Sequence, residues 1–278
     1  MYRGTYKFAI NLMGGTGLSP EEHIFLLHRI GWDGFFTGWD PDKTADYAEA
    51  AEKYGMIYTS IHAPFTQVRY LWDEGELGEQ VTEELITCVL DCAAHRVPVM
   101  VIHPFIGFGE HTPTEVGLRN FGKIIGEADA LGVRLGFENV EGEEYLAAIF
   151  ERYAGHPSLG FCFDTGHELC YNRSKDMLAL YGSALCHTHF NDNVGVTGED
   201  IFWTDDLHLL MGDGIADWEG IMRRIRACDY DGVLTCELTF GNKPGKSTHD
   251  GYAVMGHEAF YALALERMKQ IAGQEARA

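Results

Sequence analysis

The sequence has few basic residues and no long apolar segment. Its 278 residues include 21 Lys and Arg against 42 Asp and Glu, which gives a formal net charge of -21. Such an acidic surface repels phosphate backbones and anionic lipid head groups, so neither nucleic acids nor membranes are expected as partners. No apolar run approaches the ~18–20 residues that span a bilayer. The apolar stretch near the amino terminus is too short, and too soon broken by glycine, for a signal peptide.

Paired cysteines and linkers are also missing. The seven cysteines are scattered and form no C-x-x-C pair. Cys88 and Cys92 are four residues apart on a predicted helix, a spacing typical of core packing. No proline-rich or low-complexity segment divides the chain. We therefore expect a single domain over residues 1–278 in a reducing, cytoplasmic setting, with a homo-oligomer left open.

A short β-like run, a polar or glycine turn and an amphipathic segment of helical length recur along the whole chain. The predicted strands are Lys7–Leu12, Gly34–Thr37, Met56–His62, Val99–His103, Arg134–Glu138, Leu159–Asp164, Leu185–Phe190 and Val233–Glu237. The first predicted helix opens at Ser19-Pro20-Glu21-Glu22, and the others cover Lys43–Tyr54, Thr82–His95, Thr114–Leu131, Tyr145–Tyr153, Asp176–Tyr181, Trp218–Ala227 and Glu258–Ile271.

Eight alternations of strand and helix in a chain of this length predict an α/β fold of the (β/α)₈ TIM barrel type. A doubly wound open sheet is the alternative. It is disfavoured because the glycines after the first strand, in Gly14–Gly17, lack the G-x-G-x-x-G spacing. The polar segment Asn191–Asp217 is long for a connection, which predicts a functional loop after the seventh strand.

Polar, titratable residues occupy the ends of the later predicted strands. In chain order they are His62, His103, Glu138, Asp164, His189 and Glu237. Catalytic groups of such barrels come from these strand ends, and converging buried carboxylates must share a cation or protons. We therefore predict that Glu138, Asp164, His189 and Glu237 hold a divalent metal. This oxygen-rich set with one nitrogen suits Mn²⁺, Mg²⁺ or Co²⁺, and Zn²⁺ is also chemically suited.

The motifs along the chain also resemble a known family. In order they are IHAPF, VIHP, FENV, CFDTGH, HTHFNDN, DLHLLMGDGIADW and CEL, from about Ser60 to Leu238. This series resembles the xylose isomerase-like barrel superfamily, which contains sugar and sugar phosphate isomerases and epimerases and the endonuclease IV type of AP endonuclease. The resemblance implies the same barrel and the same four metal ligands. In the endonuclease IV type, five further residues hold a three-zinc cluster.

The counterparts of those five residues are His62, His103, His167, Asp206 and His208. The same residue types also occur among presumed sugar isomerases, so we expect the four histidines to contact substrate or support the site rather than to bind further metals. His187 lies two residues before His189 and is expected one layer deeper, in the core. Three aromatic residues after strand ends or in mouth loops are candidates for an apolar wall against a sugar ring, with packing on helices as the alternative: Trp39, Phe65 and Trp203.

The leading functional prediction is metal-assisted proton transfer next to the carbonyl of a small-molecule sugar or sugar phosphate. Glu138 and Glu237 come from the fifth and eighth strands, so one glutamate would remove a proton and the other would return it through an enediolate. Phosphodiester hydrolysis at abasic DNA by three zinc ions is the main alternative. It has nine matching positions in its favour, and the net charge against it. A dehydratase or β-eliminase on a keto-sugar and a metal-stabilised binding protein are the remaining alternatives.

Overall fold

The computed structural model describes residues 6–109, 112–196 and 198–273. The strands are β1 (Phe8–Asn11), β2 (Gly34–Gly38), β3 (Ile57–His62), β4 (Val99–Ile102), β5 (Arg134–Glu138), β6 (Leu159–Asp164), β7 (Leu185–His189) and β8 (Leu234–Cys236). The helices are α1 (Pro20–Ile30), α2 (Thr44–Tyr54), α3 (Glu76–Ala94), α4 (Glu115–Leu131), α5 (Glu143–Arg152), α6 (Thr165–Leu169), α7 (Met177–Tyr181), α8 (Trp218–Ala227), α9 (Asp250–Ala253) and α10 (His257–Ile271).

Short polar motifs set the beginnings of the helices. The hydroxyl of Ser19 accepts a hydrogen bond from the backbone of Glu22, and the Glu22 carboxylate accepts one from the backbone of Ser19. This capping box, with Pro20 at the first helical position, starts α1 where the sequence predicts it. Helix α3 begins six residues earlier than predicted, at Glu76, and α6 follows β6 with no intervening loop. No helix of the described residues is long and apolar enough to cross a membrane.

The eight strands are parallel and pair in the order β7-β6-β5-β4-β3-β2-β1-β8, which confirms the predicted barrel. The seam between β7 and β8 closes the circle with few hydrogen bonds. Phe190 makes a single parallel bridge to Cys236, and the backbone N–H of Thr235 donates to the side-chain oxygen of Thr188 rather than to a carbonyl. The neighbouring β5–β6 pair, in contrast, is in register over four residue pairs.

Alternate strand residues separate two apolar regions. Met100 and Ile102 belong to the large layer between strands and helices, whereas Val99 and Val101 pack with Cys162 in a small separate cluster. A polar pair shares this level of the barrel: Ser60 is in register with Val99 and His187 with Cys162, and Ser60 Oγ is 3.0 Å from Nε2 of His187. Towards the carboxyl ends of the strands, the next inward residues are the polar ones that end β5, β6 and β7. The interior of the barrel therefore changes from apolar to polar towards the C-terminal face, where the candidate site lies.

Candidate metal centre

The four predicted metal ligands converge at the C-terminal face of the barrel. Glu138, Asp164 and His189 are the last residues of β5, β6 and β7, and Glu237 follows β8 directly. One donor atom from each side chain lies within 4.8 Å of the others. Nδ1 of His189 is 2.9 Å from a carboxylate oxygen of Glu138 and 3.1 Å from one of Glu237. The structure therefore gathers three carboxylates and one imidazole around a common point.

Asp164 is fixed by two asparagine side chains, one bonded to its backbone and the other to its carboxylate. Asn139 accepts a hydrogen bond from the backbone N–H of Asp164 at 2.8 Å and donates to its carbonyl at 2.9 Å. The amide of Asn191 donates to Oδ2 of Asp164 at 2.7 Å. A Cβ atom at Gly166 would lie 1.8 Å from Oδ1 of Asn191, so this position in the DTGH motif accepts only glycine. Asp164 is thus held by its neighbours before any cation is considered.

A second group of donors surrounds Oε2, the second carboxylate oxygen of Glu138. Nε2 of His62 lies 3.4 Å from Oε2 of Glu138, and Nε2 of His103 lies 3.2 Å from the same atom. Nδ1 of His62 is 2.8 Å from the carbonyl oxygen of Ala63, which only accepts hydrogen bonds. The proton of a neutral His62 is therefore on Nδ1, and Nε2 turns a lone pair towards the carboxylate. Two electron-rich atoms in contact require a proton or a cation between them.

A third group lies beside Glu237 and includes Asp206 and His208 of the loop after β7. Nε2 of His208 is 2.8 Å from Oδ2 of Asp206, and Nε2 of His167 is 3.5 Å from Oδ1. Nδ1 of His208 donates to the backbone carbonyl of Glu237 at 2.9 Å, so its Nε2 also presents a lone pair when the ring is neutral. The backbone of His208 is left-handed, with φ of 52°, which is strained for a residue with a side chain.

The protonation states reflect this crowding of donors. Burial lowers the pKa of His208, but the charge of Asp206 and its hydrogen bond outweigh that effect and raise the pKa to about 9. Burial raises the pKa of Glu237, but the charge of His189 lowers it to about 2. Burial raises the pKa of Asp164 to about 6. The charges of these buried groups therefore compensate one another, as expected for a set of metal donors.

The donor set fits a divalent cation. Five buried atoms of the donor residues have no hydrogen-bond partner among the described residues: Nδ1 of His103, Oε2 of Glu138, Nδ1 of His167, Nε2 of His189 and Oδ1 of Asp206. An unpaired buried carboxylate oxygen costs several kcal/mol, which a cation with ligand distances of about 2.0–2.6 Å would remove. The three groups of donors also share Glu138 or adjoin Glu237. The residues present therefore match one cation among the four carboxylate and imidazole ligands, and their arrangement leaves room for two more.

The loop that carries Asp206 and His208 is anchored by the buried carboxylate of Asp192. The backbone of Asp192 exchanges two hydrogen bonds with that of Leu209, at 2.8 and 2.9 Å. Its carboxylate oxygens accept four more, from the N–H groups of Asn193 (2.9 Å), Gly212 (2.7 Å), Ala216 (3.0 Å) and the indole of Trp218 (3.0 Å). A Cβ atom at Gly214 would lie 2.2 Å from this carboxylate. The GDG turn therefore wraps around Asp192, and Trp218 packs at its base.

A cavity of about 500 Å³ opens above the donors. Its lining includes the five additional predicted residues and two of the three predicted aromatic residues: His62, His103, His167, Asp206, His208, Phe65 and Trp203. Glu237 also lines the cavity, with 21% of its side chain exposed, whereas Glu138 is fully buried beneath it. The two glutamates thus differ in their access to a substrate, a difference that their sequence positions do not reveal.

Trp39 does not line the cavity, and of the two roles considered for it the structure shows packing on a helix. Its indole N–H donates to Asp91 on α3 at 2.8 Å, and its ring packs against the core between strands and helices. The reason is strand alternation: the ring of Phe36 stacks on His189 inside the barrel, at a centroid distance of 4.8 Å. Trp39 is three residues later, on the opposite face, and therefore points outwards.

Three polar residues of the cavity wall were missed in the sequence. Glu141 follows β5 by three residues, Tyr171 follows α6, and Lys243 lies in the loop after β8. The ammonium group of Lys243 is 3.6 Å from Oδ2 of Asp206 and 5.5 Å from the centre of the Trp203 ring. Loop residues have no periodicity that indicates which way they face, so only their closeness to strand ends was a usable signal.

The fold is an α/β barrel whose C-terminal face carries a buried cluster of residues that could hold a metal ion. The family model described as "Xylose isomerase-like TIM barrel" matches residues 23–256, and the chain belongs to that family. The uncharacterized protein MJ1311 of Methanocaldococcus jannaschii is 24% identical over 236 residues, which cover 78% of this chain and 75% of that protein.

Two solved structures are similar over nearly the whole chain. A xylose isomerase domain protein from Planctomyces limnophilus has a TM-score of 0.71 and 17% identity, and the match covers 97% of this chain and 100% of that one. D-Psicose 3-epimerase from Clostridium cellulolyticum H10 has a TM-score of 0.70 and 13% identity, with 96% and 99% covered. At these identities the likeness concerns the fold.

Proposed function

We propose that the protein is a metal-dependent isomerase or epimerase of a sugar or sugar phosphate. The observation that carries this proposal is the convergence of Glu138, Asp164, His189 and Glu237 beneath a cavity of about 500 Å³. A cavity of this size suits a small molecule better than a polymer. The same fold serves the sugar epimerase from Clostridium cellulolyticum H10, which supports the proposed class of reaction.

A divalent cation held by these four residues would stabilise the negative charge that develops on the substrate oxygens when a proton leaves the carbon next to the carbonyl. Glu237 lines the cavity, and its pKa of about 2, set by His189 against the opposing effect of burial, keeps it ionised at neutral pH. We assign Glu237 the first proton transfer because its side chain lines the cavity, whereas that of Glu138 does not.

Glu138 is the second acid/base of the proposal. It stands at the end of β5, across the barrel from Glu237, and Nδ1 of His189 contacts both carboxylates. A proton returned to the opposite face of the same carbon inverts that carbon, and a proton returned to the neighbouring carbon isomerises the sugar. His62 and His103, on the outer oxygen of Glu138, would orient this carboxylate and exchange its proton with the cavity.

The test is incorporation of solvent deuterium into free ketohexoses and their phosphate esters by protein loaded with Mn²⁺, Mg²⁺, Co²⁺ or Zn²⁺. Exchange at the carbon next to the carbonyl, lost on chelation and restored by metal, is the expected result. Product formed without any exchange would indicate either a shielded proton or another reaction, and substrate deuterated at that carbon distinguishes the two. Absence of both exchange and product with every sugar and metal contradicts the proposal.

The three separate groups of donors favour a second candidate function, hydrolysis of a phosphodiester by three metal ions. His62 and His103 with Glu138 form one additional group, and His167, Asp206 and His208 form the other. Three cations would offset the acidic character of the site, although the net charge of -21 still opposes DNA.

Metal content per purified chain separates the two candidates. We expect one tightly bound ion and no appreciable binding of duplex DNA at physiological salt. Three ions per chain, together with micromolar binding and cleavage of a duplex that contains an abasic site, would replace the sugar enzyme with the phosphodiesterase. The same duplex without the abasic site is the control for charge-driven binding.

A further inference from the structure

Two polar side chains line the cavity but belong to none of the donor groups. Glu141 follows β5, is only 9% exposed, and uses one carboxylate oxygen to accept a hydrogen bond from the backbone of Gly107 at 2.9 Å. The ring of Tyr171 packs against His167, with centroids 4.8 Å apart, and against Phe108 at 5.9 Å. Both side chains are thus held in place by protein contacts.

The remaining polar atoms of this pair are unused. Neither the second oxygen of Glu141 nor the hydroxyl of Tyr171 has a hydrogen-bond partner among the described residues. Neither atom is among the fully buried atoms that lack a partner, and both side chains line the open cavity. Polar groups that face a cavity can exchange hydrogen bonds with water for hydrogen bonds with a ligand.

We propose that Glu141 and Tyr171 form a subsite for hydroxyl groups of the substrate sugar that lie away from its carbonyl end. A carboxylate accepts hydrogen bonds from one or two hydroxyls, and a phenol both donates and accepts. Ile106 and Phe108, next to the pair in the cavity wall, offer apolar surface to the C–H groups of the same sugar. The inference rests on the proposed function, since it assigns the distal part of the substrate for that site.

Lys243 does not supply this recognition. Its ammonium group lies 3.6 Å from Asp206, in the loops after β7 and β8, where it is already paired. Glu141 and Tyr171, in contrast, belong to the connections after β5 and β6. Outside the donor groups, the uncommitted polar atoms among these three residues are therefore those of Glu141 and Tyr171, and a carboxylate there selects hydroxyl donors over anionic groups.

The experiment combines two isosteric substitutions with substrate analogues. Tyr171→Phe removes only the hydroxyl, and Glu141→Gln removes the charge but keeps an oxygen for the N–H of Gly107. Affinities of D-fructose, D-psicose and their 4-, 5- and 6-deoxy analogues are measured by calorimetry, and deuterium incorporation is measured in parallel. We expect affinity for the parent sugar to fall about 3- to 10-fold for Tyr171→Phe and about 10- to 100-fold for Glu141→Gln.

The decisive signature is non-additivity. The deoxy analogue that lacks the recognised hydroxyl should bind the wild type and the matching variant almost equally well, as in a double-mutant cycle. Tyr181→Phe and Glu144→Gln make the same chemical changes outside the cavity lining and should alter nothing: the hydroxyl of Tyr181 is bound to Glu143 at 2.9 Å, and Glu144 is exposed.

The outcomes for the subsite and for the enzyme are distinguishable. Unchanged affinities in both variants, equal losses for all analogues, or no binding of these sugars by the wild type each overturn the subsite. Turnover by the wild type in those cases leaves the proposed function standing. Coupled binding losses without any turnover or deuterium exchange support the subsite and reject the proposed reaction.

Discussion

Replacement of Asp192 by asparagine changes one atom in the anchor beneath the loop that carries Asp206 and His208. The carboxylate is fully buried, and each of its oxygens accepts two hydrogen bonds. One oxygen serves the N–H groups of Asn193 and Ala216, and the other serves those of Gly212 and Trp218. In either orientation of the new amide, its NH₂ group faces two N–H donors. Two favourable contacts therefore become repulsive.

The loss of stability caused by Asp192→Asn follows from the hydrogen bonds that the substitution disrupts. Hydrogen bonds to a charged group contribute about 1.5–3 kcal/mol each, so the loss of two costs about 3–6 kcal/mol before relaxation. Adjustment of the turn lowers this value, and we expect Asp192→Asn to reduce the free energy of unfolding by about 3 kcal/mol. A domain with about 5–15 kcal/mol of stability survives such a loss in the folded state.

Urea denaturation with chelator present measures the change, because bound metal then makes no contribution. Asp217→Asn is the matched control. The Asp217 side chain caps α8 by accepting the N–H of Gly220 at 3.0 Å, and asparagine caps a helix as well as aspartate. The control should stay within about 0.5 kcal/mol of wild type. A loss below about 1 kcal/mol for Asp192→Asn, or equal losses for the two variants, refutes the anchoring role.

The remaining predictions concern the site and one buried histidine. Glu237→Gln and Glu138→Gln should each leave a folded barrel and lower deuterium incorporation by ~10²–10⁴-fold, because an amide does not accept the substrate proton; full activity in both variants rules out the mechanism. His208→Asn should raise KM more than it lowers kcat, whereas release of a bound metal from this variant would favour the three-metal site. Burial lowers the pKa of His23 to about 4, so the unfolded state takes up a proton first as the pH falls. Stability should therefore decrease by about 3 kcal/mol between pH 6.5 and 4, and His23→Gln should remove that part of the pH dependence of the urea midpoint; an unchanged profile contradicts the assignment.

The barrel was predictable because its elements follow local rules. Strands ending in Glu138, Asp164 and His189 are apolar runs with a polar last residue, and parallel strands bring those last residues to one face. Asp206 and His208 were accessible only through the family resemblance, since their loop has no periodicity. The structure shows how that loop is placed: hydrogen bonds to the buried carboxylate and backbone of Asp192 hold it in position.

Other features depended on three-dimensional contacts that one sequence does not state. The unequal exposure of Glu138 and Glu237 follows from four histidines around Glu138 and from the position of Glu237 one residue beyond β8. Glu141 and Tyr171 are single polar residues in short connections, indistinguishable in sequence from solvated ones. Trp39, in contrast, was within reach of sequence reasoning, because counting alternation from Phe36 already turns it away from the barrel interior.

The sparse seam between β7 and β8 has a consequence for the order in which the barrel comes apart. His189 ends one strand of the seam and Glu237 follows the other, so two of the four proposed metal ligands stand on opposite sides of the weakest join in the circle. A cation bound by both residues would join the two strands across this seam. In the protein without metal, the amide protons of Phe190 and Glu237 should exchange with solvent before those of β5 and β6, because the barrel opens first at this seam.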